Sequence, residues 1–241
     1  MKEVILIALL VGGATILGSV LGFIFKNISK KFTNIILSFS AGIMLCSAVL
    51  GLIVPSYEMG GDYGIFITVS GVISGAVCLD LLERALSKRE GNLEKNEKSS
   101  RGVLLFAMAI AIHNLPEGLA SGVSLGLGNF KEAMLISGGI ALQNVPEGMA
   151  TISPMINAGF SRKKALAFSV FTGIIEIGGV FIGYLLLGIA REILPFALAF
   201  AGGTMLYVIN DEIIPEAMCS KASTYALLCG FLVMLVFEAV L

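Results

Sequence analysis

Apolar runs of about twenty residues recur along the whole chain, and this feature limits the possible folds more than any other. A run of that length crosses the hydrocarbon core of a bilayer as an α-helix. Only 14% of the residues are charged, whereas soluble domains have about 25%, and the mean hydropathy is +0.94. The sequence therefore predicts an all-α polytopic membrane protein, with residues 1–241 forming a single transmembrane domain. A net charge of -1 gives no indication of nucleic-acid binding.

Eight such runs can be counted, and the charges between them predict an orientation. The linkers after the first, third, fifth and seventh runs carry thirteen of the sixteen Lys and Arg residues. Because basic linkers stay in the cytoplasm, we expect a multi-pass protein of the cell (inner) membrane with both termini outside. The charged linker 87–101 is expected to be a disordered cytoplasmic loop. The predicted spans are 4–25, 34–54, 64–86, 103–127, 132–157, 164–189, 194–215 and 223–241.

Two repeated sequence motifs indicate inverted repeats. This architecture is common among transporters and places the binding site near mid-membrane. Pro116-Glu117-Gly118 recurs as Pro146-Glu147-Gly148 in the next span, which crosses the membrane in the opposite direction. An Ala-Gly pair also begins fourteen residues before a proline in both the second and the seventh span. The two copies of this second motif are Ala41-Gly42 with Pro55 and Ala201-Gly202 with Pro215. Met44 and Met205 occupy nearly corresponding positions in the two copies.

The two Pro-Glu-Gly motifs put unfavourable groups inside apolar helices. A charged side chain at mid-membrane costs about 2.5–3.5 kcal/mol on insertion scales. Each proline also frees the backbone carbonyl four residues earlier, which here belongs to Ile112 or Leu142. Carboxylate and carbonyl oxygens are cation ligands, and such groups are tolerated at this depth only in protein-buried or watery places. We interpret the pair as two helices that face each other across a cation site.

Polar side chains of three spans can reach the same depth. His113 and Glu117 lie four residues apart on one helix face, Gln143 and Glu147 repeat that spacing, and Glu176 stands near the middle of the sixth span. Imidazole combined with carboxylate oxygen suits Zn²⁺, Fe²⁺ or Mn²⁺ better than Ca²⁺ or Mg²⁺. Three carboxylates can also hold two adjacent cations. Without a cation one or more of them would be protonated, so metal binding is expected to release protons.

Other residues are compatible with more ordinary roles. Met44 is a possible thioether ligand, although a helical methionine usually fills a core. Asp211 and Glu212, at the cytoplasmic end of the seventh span, are either a metal exit site or an interfacial helix end. Glu58 and Asp62, in an outer linker, are expected to be part of a solvated turn.

These motifs resemble the ZIP (Zrt-, Irt-like protein) family of divalent metal transporters, and in particular its GufA-like branch. The resemblance rests on His-Asn-x-Pro-Glu-Gly in span four, Asn-x-Pro-Glu-Gly in span five, the eight spans and the long linker after the third. Ala-Gly-x-x-Met in span two and Asp-Glu-x-x-Pro-Glu at the end of span seven are also similar. The resemblance implies a homodimeric importer of divalent metal, most often Zn²⁺, with Cd²⁺, Fe²⁺ and Mn²⁺ as further candidates.

The resemblance also implies metal ligands, position by position. Gln143 stands where many members have histidine, and Asn144 stands where some have an acid, so we expect weaker binding or broader selectivity. The first implied site consists of Met44, His113, Glu117, Gln143 and Glu147, and the second of Asn114, Glu117, Asn144, Glu147 and Glu176.

Two other functions stay open on the residues alone. A proton-coupled carrier of an organic solute would use the glutamates as a proton relay. An intramembrane metallohydrolase is less favoured, because the chain has one histidine and no His-Glu-x-x-His motif. We therefore expect a transporter rather than an enzyme, with the metal as its substrate and no cofactor.

Overall fold

The described part of the chain is built from helices, and it contains no β-strand. A computed structural model describes residues 1–25, 29–91, 114–125, 129–157, 160–189, 191–217 and 220–240. Six helical stretches within these residues are long and apolar enough to cross a membrane, which confirms the prediction of an all-α polytopic membrane protein. The helices are α1 (Lys2–Ile24), α2 (Lys30–Cys46), α3 (Val54–Met59), α4 (Gly64–Gly91), α5 (114–124), α6 (Phe130–Asn157), α7 (Arg162–Ile189), α8 (Leu194–Val208), α9 (Ile214–Ala217) and α10 (Lys221–Val240).

Two of the membrane helices contain a π-helical segment that ends two residues before a proline. Ser47–Ile53 joins α2 to α3, and Ile209–Ile213 joins α8 to α9. Pro55 and Pro215 are each the second residue of the α-helix that follows. A proline lacks a backbone donor and collides with the carbonyl four residues earlier, and the wider π-helix accommodates both problems by shifting its hydrogen bonds to i→i+5. Counted with their π segments, the described helices correspond to the eight predicted spans, and residues 103–113 and 126–127 of the fourth span lie outside the described residues.

Several helices extend beyond the approximate span boundaries predicted from the sequence. The second span was expected to end at residue 54, but its helix passes Pro55 and continues to Met59. The cytoplasmic loop was expected to begin at residue 87, but α4 remains helical to Gly91. The rest of that predicted loop, residues 92–101, lies outside the described residues.

The helices pack as two groups. In the first, α1 packs against α6 and α7, and glycines of α5 contact the backbone of α7. In the second, α4 packs against α8, and α10 packs against α2. Contacts between α2 and α6 join the two groups. The interface between the two groups therefore runs between α2 and α6.

The glycine contacts show that the fold is an inverted repeat. A Cβ atom at Gly118 would collide with the backbone carbonyl of Glu176, and one at Gly148 would collide with that of Thr15. The two glycines are thirty residues apart, and the two carbonyl positions are 161 apart. Two further pairs of contacts are related by the same differences in residue number. Gly18 contacts Val145 as Gly179 contacts Leu115. Gly22 contacts Met149 as Gly183 contacts Leu119.

The second helix group repeats the relationship. Gly42 abuts the carbonyl of Leu227, and Gly203 abuts the carbonyl of Val72 in the same way. Helix α1 is thus equivalent to α7, α5 to α6, α2 to α8 and α4 to α10. The inverted repeat predicted from the Pro-Glu-Gly and Ala-Gly echoes is confirmed, and it extends beyond the motifs that suggested it.

Candidate metal site

Glu176 is the hub of a buried polar cluster at the middle of α7. Its side chain is 0% exposed, and it accepts hydrogen bonds from three helices. Thr15 Oγ1 of α1 lies 2.7 and 2.8 Å from the two carboxylate oxygens. Asn144 Nδ2 of α6 donates to Oε2 at 2.7 Å, and Asn114 Nδ2 of α5 donates to Oε1. Each Glu176 oxygen therefore has two neighbouring donors.

A second hydrogen bond links α5 to α6 beside this hub. Gln143 Nε2 donates to Glu117 Oε1 at 2.7 Å, and both side chains are buried. Ser40 Oγ of α2 donates to the backbone carbonyl of Gln143 at 3.1 Å, which connects the cluster to the other helix group. Glu147, one helical turn after Gln143 in α6, is partly buried.

Four oxygen atoms of this cluster are buried and have no hydrogen-bond donor among the described residues. A buried acceptor without a partner typically costs about 1–3 kcal/mol, so four of them in one cluster indicate that something else satisfies them. All four are oxygens of the kind that coordinate metal ions. They are Asn114 Oδ1, Glu117 Oε2, Gln143 Oε1 and Asn144 Oδ1.

The cluster follows the pseudo-symmetry of the fold. Asn114 and Asn144 occupy equivalent positions of α5 and α6, and they donate to opposite oxygens of one carboxylate. Glu117 and Glu147 form the next equivalent pair. Thr15 and Glu176, which are equivalent positions of α1 and α7, meet each other between these pairs. The two halves of the chain thus contribute matching groups to one site.

The donors available to a cation are a mixture of carboxylates and amides. No group of three or more His, Cys, Asp and Glu side chains in the described residues is arranged to hold a metal ion by itself. The three predicted glutamates therefore do not form a carboxylate triad of that kind. Asparagine and glutamine oxygens would have to complete any coordination sphere built from the described side chains.

The remaining predicted residues have separate locations. Met44 is 1% exposed within the main apolar core, one helical turn beyond Ser40 on the α2 face that contacts α6. Asp211 is exposed, and it lies with Glu212 in the π-helix that follows α8. Asp211 is therefore not part of the buried cluster. His113 lies outside the described residues.

Sequence reasoning missed Thr15, although the sequence held a signal for it. Helix α1 carries glycines at positions 12, 18 and 22 around Thr15, and α7 carries glycines at 173, 179 and 183 around Glu176 with the same spacing. An alignment of the two inverted halves would have paired the threonine with the glutamate. A lone hydroxyl in an apolar run otherwise gives no indication that it reaches a distant carboxylate.

A cavity of about 550 Å³ opens away from this cluster, at the ends of α3 and α10 and the start of α6. None of the clustered glutamates lines it. Its charged lining residues are Glu58, Lys131, Glu132 and Glu238.

Comparison with known proteins identifies the family. Residues 83–238, more than half of the chain, match the family model described as ZIP Zinc transporter. The chain belongs to the ZIP family. The predicted ZIP membership is thereby confirmed, and so is the prediction of a transporter rather than an enzyme, because the family consists of metal transporters.

Full-length relatives support the same ZIP assignment. The chain is 38% identical over 231 residues to the zinc transporter ZupT of Chlorobaculum parvum, which covers 88% of this chain and 86% of that protein. It is 32% identical over 246 residues to the zinc transporter GufA of Myxococcus xanthus, with 96% of each covered. The human zinc transporter ZIP11 is 45% identical over 156 residues, which are 60% of this chain and 45% of that protein.

Proposed function

We propose that this ZIP protein imports a divalent metal ion, Zn²⁺ foremost, into the cytoplasm through the buried cluster of α5, α6 and α7. The observation that carries the proposal is the set of four buried oxygens without donors. A bound cation would satisfy all of them at once. The cluster also stands near the middle of the long helices α6 and α7, and transporters with inverted repeats bind their substrates at mid-membrane.

The charge balance of the cluster supports the same proposal. Every described hydrogen bond to Glu117 and Glu176 comes from a neutral amide or hydroxyl. Arg84 with Asp80, outside the cluster, forms the one ion pair found among the described residues. Buried charges in proteins are usually paired or coordinate metals. A divalent cation would supply a positive charge beside Glu117 and Glu176.

We propose as ligands Asn114, Glu117, Gln143, Asn144 and Glu147, with His113 and Met44 as candidates from the family pattern. Oxygen donors outnumber nitrogen and sulfur in this set, so we expect Mn²⁺, Fe²⁺ and Cd²⁺ to compete with Zn²⁺. Two adjacent cations bridged by Glu117 and Glu147 remain part of the proposal. Glu176, which the family pattern makes a ligand of the second of these cations, belongs to the proposed ligand set as well.

The direction of transport follows from the orientation that the basic linkers predict. With both termini outside, the cavity beside α3 and α10 lies on the outer side, and its acidic residues Glu58, Glu132 and Glu238 favour cations there. Asp211 and Glu212 lie at the opposite end of the seventh span, where the metal would leave. We propose further that the protein is a homodimer in the cell membrane, as the ZIP resemblance implies.

Uptake of ⁶⁵Zn²⁺ into proteoliposomes tests the proposed function. We expect wild-type protein to transport, and Glu117→Gln to lower uptake at least about 10–100-fold, the loss typical when even the outer partners of metal ligands are removed. Glu192→Gln, an exposed glutamate outside both the cluster and the cavity, is the matched control and should leave the rate nearly unchanged. Equal uptake by wild type, Glu117→Gln and protein-free liposomes would contradict the proposal.

A further inference from the structure

We propose that Thr15 is a specificity-determining residue, because its hydroxyl limits Glu176 to a single bond with the transported cation. The inference rests on the proposed function, in which Glu176 is one of the metal ligands. It concerns which divalent ions the site accepts. It also assigns a role to α1, a helix that carries none of the proposed ligands.

The hydrogen bonds to Glu176 leave part of its carboxylate free. An ionised carboxylate offers about four lone pairs, and three hydrogen atoms of the described residues reach it. Asn114 donates one to Oε1, and Asn144 donates one to Oε2. Thr15 has a single hydroxyl hydrogen, although its oxygen lies close to both carboxylate oxygens. About one lone pair is left, so Glu176 can form one bond to a cation.

The position of the Thr15 hydroxyl prevents a second bond. Thr15 Oγ1 lies 2.7 Å from Oε1 and 2.8 Å from Oε2 of Glu176. A point at nearly equal distances from the two oxygens lies on the plane that bisects the carboxylate, and both contacts have hydrogen-bond geometry. A cation that binds a carboxylate through both oxygens takes the same place in front of it. The hydroxyl therefore occupies the position that a chelating cation would need.

The packing of α1 against α7 holds the hydroxyl in this position. Thr15 is 2% exposed and Glu176 is 0% exposed. Three residues earlier in each helix stand Gly12 and Gly173, and a Cβ atom at Gly12 would collide with the carbonyl oxygen of Gly173. The two backbones are thus in direct contact one turn from the hydroxyl. Thr15 cannot swing away from the carboxylate without a separation of the two helices or a change of its rotamer.

Thr15 also differs from other buried hydroxyls in what it contacts. Ser19, Thr172 and Thr204 each donate to a backbone carbonyl three or four residues earlier in their own helix, which is the usual local bond of such residues. Thr15 instead donates to a side chain 161 positions away. Its hydroxyl is therefore committed to the carboxylate.

The number of bonds that Glu176 forms affects which metals the site favours. Zn²⁺ is commonly four-coordinate, so a carboxylate that gives one oxygen suits it. Mn²⁺ and Ca²⁺ take six or more oxygen ligands, and Ca²⁺ accepts carboxylates through both oxygens at longer distances. Because Thr15 withholds the second oxygen of Glu176, it reduces the number of ligands that the site offers. We expect this to favour Zn²⁺ over Mn²⁺ and Ca²⁺.

Thr15→Ala tests the inference, because alanine vacates the position in front of the carboxylate. The dissociation constants of Zn²⁺, Mn²⁺ and Ca²⁺ are measured on purified protein, and competitive uptake of Zn²⁺ and Mn²⁺ is measured in proteoliposomes. We expect the affinities for Mn²⁺ and Ca²⁺, relative to that for Zn²⁺, to rise about tenfold, the lower end of the effects seen for outer partners of metal ligands. The uptake ratio should move in the same direction.

Three further variants separate occupation of this position from hydrogen bonding and from packing. Thr15→Ser retains the hydroxyl and should keep the wild-type ratios. Thr15→Val fills the same space without a donor, so it should change the three affinities together and leave their ratios unchanged. Thr172→Ala removes another buried hydroxyl, one turn from Glu176 in α7, and should also keep the wild-type ratios.

A double-mutant cycle tests whether the effect passes through Glu176. In a Glu176→Gln background the side chain has one oxygen and cannot chelate a cation. Thr15→Ala should therefore shift the metal ratios much less in that background than in wild type. Equal shifts in both backgrounds would overturn the inference.

Two other results would also contradict the role of Thr15. Unchanged metal ratios in Thr15→Ala, with wild type binding and transporting zinc, would overturn the inference and leave the proposed function intact. An equal shift in Thr172→Ala would show that loss of any nearby hydroxyl has the same effect. Absence of zinc binding and uptake in wild type would instead overturn the proposed function.

Discussion

Thr15 and Glu176 occupy equivalent positions in the two inverted halves of the chain, and they are hydrogen-bonded to each other at 2.7 Å. The two inverted halves therefore differ in residue type at the point where α1 contacts α7. Two glutamates at these positions would place two like charges in contact, which is unfavourable in a buried site. A hydroxyl opposite a carboxylate removes that repulsion and supplies a donor. The asymmetry is confined to α1 and α7, because the pairs Asn114 with Asn144 and Glu117 with Glu147 keep the same residue type in both halves.

Zinc should stabilise the folded protein in detergent. A ligand that binds only the native state at about one hundred times its dissociation constant adds about 2.7 kcal/mol. We expect Zn²⁺ to raise the thermal unfolding temperature of the wild type, and Glu117→Gln to reduce this increase strongly. The measurement is a melting curve with and without Zn²⁺, with Mg²⁺ as the control ion. An equal zinc-induced shift in Glu117→Gln would argue against Glu117 as a ligand.

Gln143→His should shift metal preference toward zinc. Gln143 now presents an amide oxygen without a donor, while its Nε2 binds Glu117. An imidazole can donate to the same carboxylate from one nitrogen and offer the other nitrogen to a transition metal. We expect the ratio of Zn²⁺ to Mn²⁺ uptake to increase roughly tenfold, which corresponds to about 1.4 kcal/mol.

Competition assays with both ions in reconstituted protein measure that ratio. Gln143→Leu is the matched comparison, because it removes the amide without adding a new ligand, and it should lower uptake of both metals. A Gln143→His variant with the wild-type ratio would show that position 143 does not contact the metal.

The sequence predicted the fold well and the site incompletely, for physical reasons. Apolar runs have a length set by the bilayer, so the number of spans could be read directly. The second span was predicted to end before Pro55. Sequence alone does not reveal that a π-helical segment lets the helix continue past a proline. The partners of Glu117 and Glu176 were predicted only as a cluster. Which amide hydrogen would face which carboxylate depends on the packing of α1, α5, α6 and α7, and that packing is set by glycines far apart in the chain.

Cysteine labelling tests the predicted orientation of the membrane helices. In a background with the four native cysteines replaced by serine, Glu3→Cys should react with an impermeant maleimide on intact cells. Ser99→Cys, in the charged linker 87–101, should react only after the membrane is permeabilised. Ala8→Cys, buried within α1, should stay unlabelled in both conditions. Labelling of Ser99→Cys on intact cells would reverse the proposed orientation and the direction of transport with it.

Gly118→Ala should damage the site through the backbone rather than through any ligand. A Cβ atom at position 118 would meet the carbonyl oxygen, carbon and Cα of Glu176, and backbone atoms cannot move aside cheaply. Overpacking of this kind typically costs about 1–3 kcal/mol. We expect lower thermal stability, and weaker zinc binding because α7 must shift away from Asn114. Melting curves and zinc isotherms on the same preparation measure the two effects.

Gly178→Ala is the matched control for that substitution. Gly178 also lies in α7, two residues from Glu176, but a Cβ atom there meets nothing within 4 Å. We expect wild-type zinc affinity and equal or slightly higher stability, since alanine favours a helix more than glycine does. If both variants lost zinc affinity to the same extent, glycine flexibility in this region, rather than the close contact between α5 and α7, would control the site. If neither lost it, the position of Glu176 would not depend on that contact.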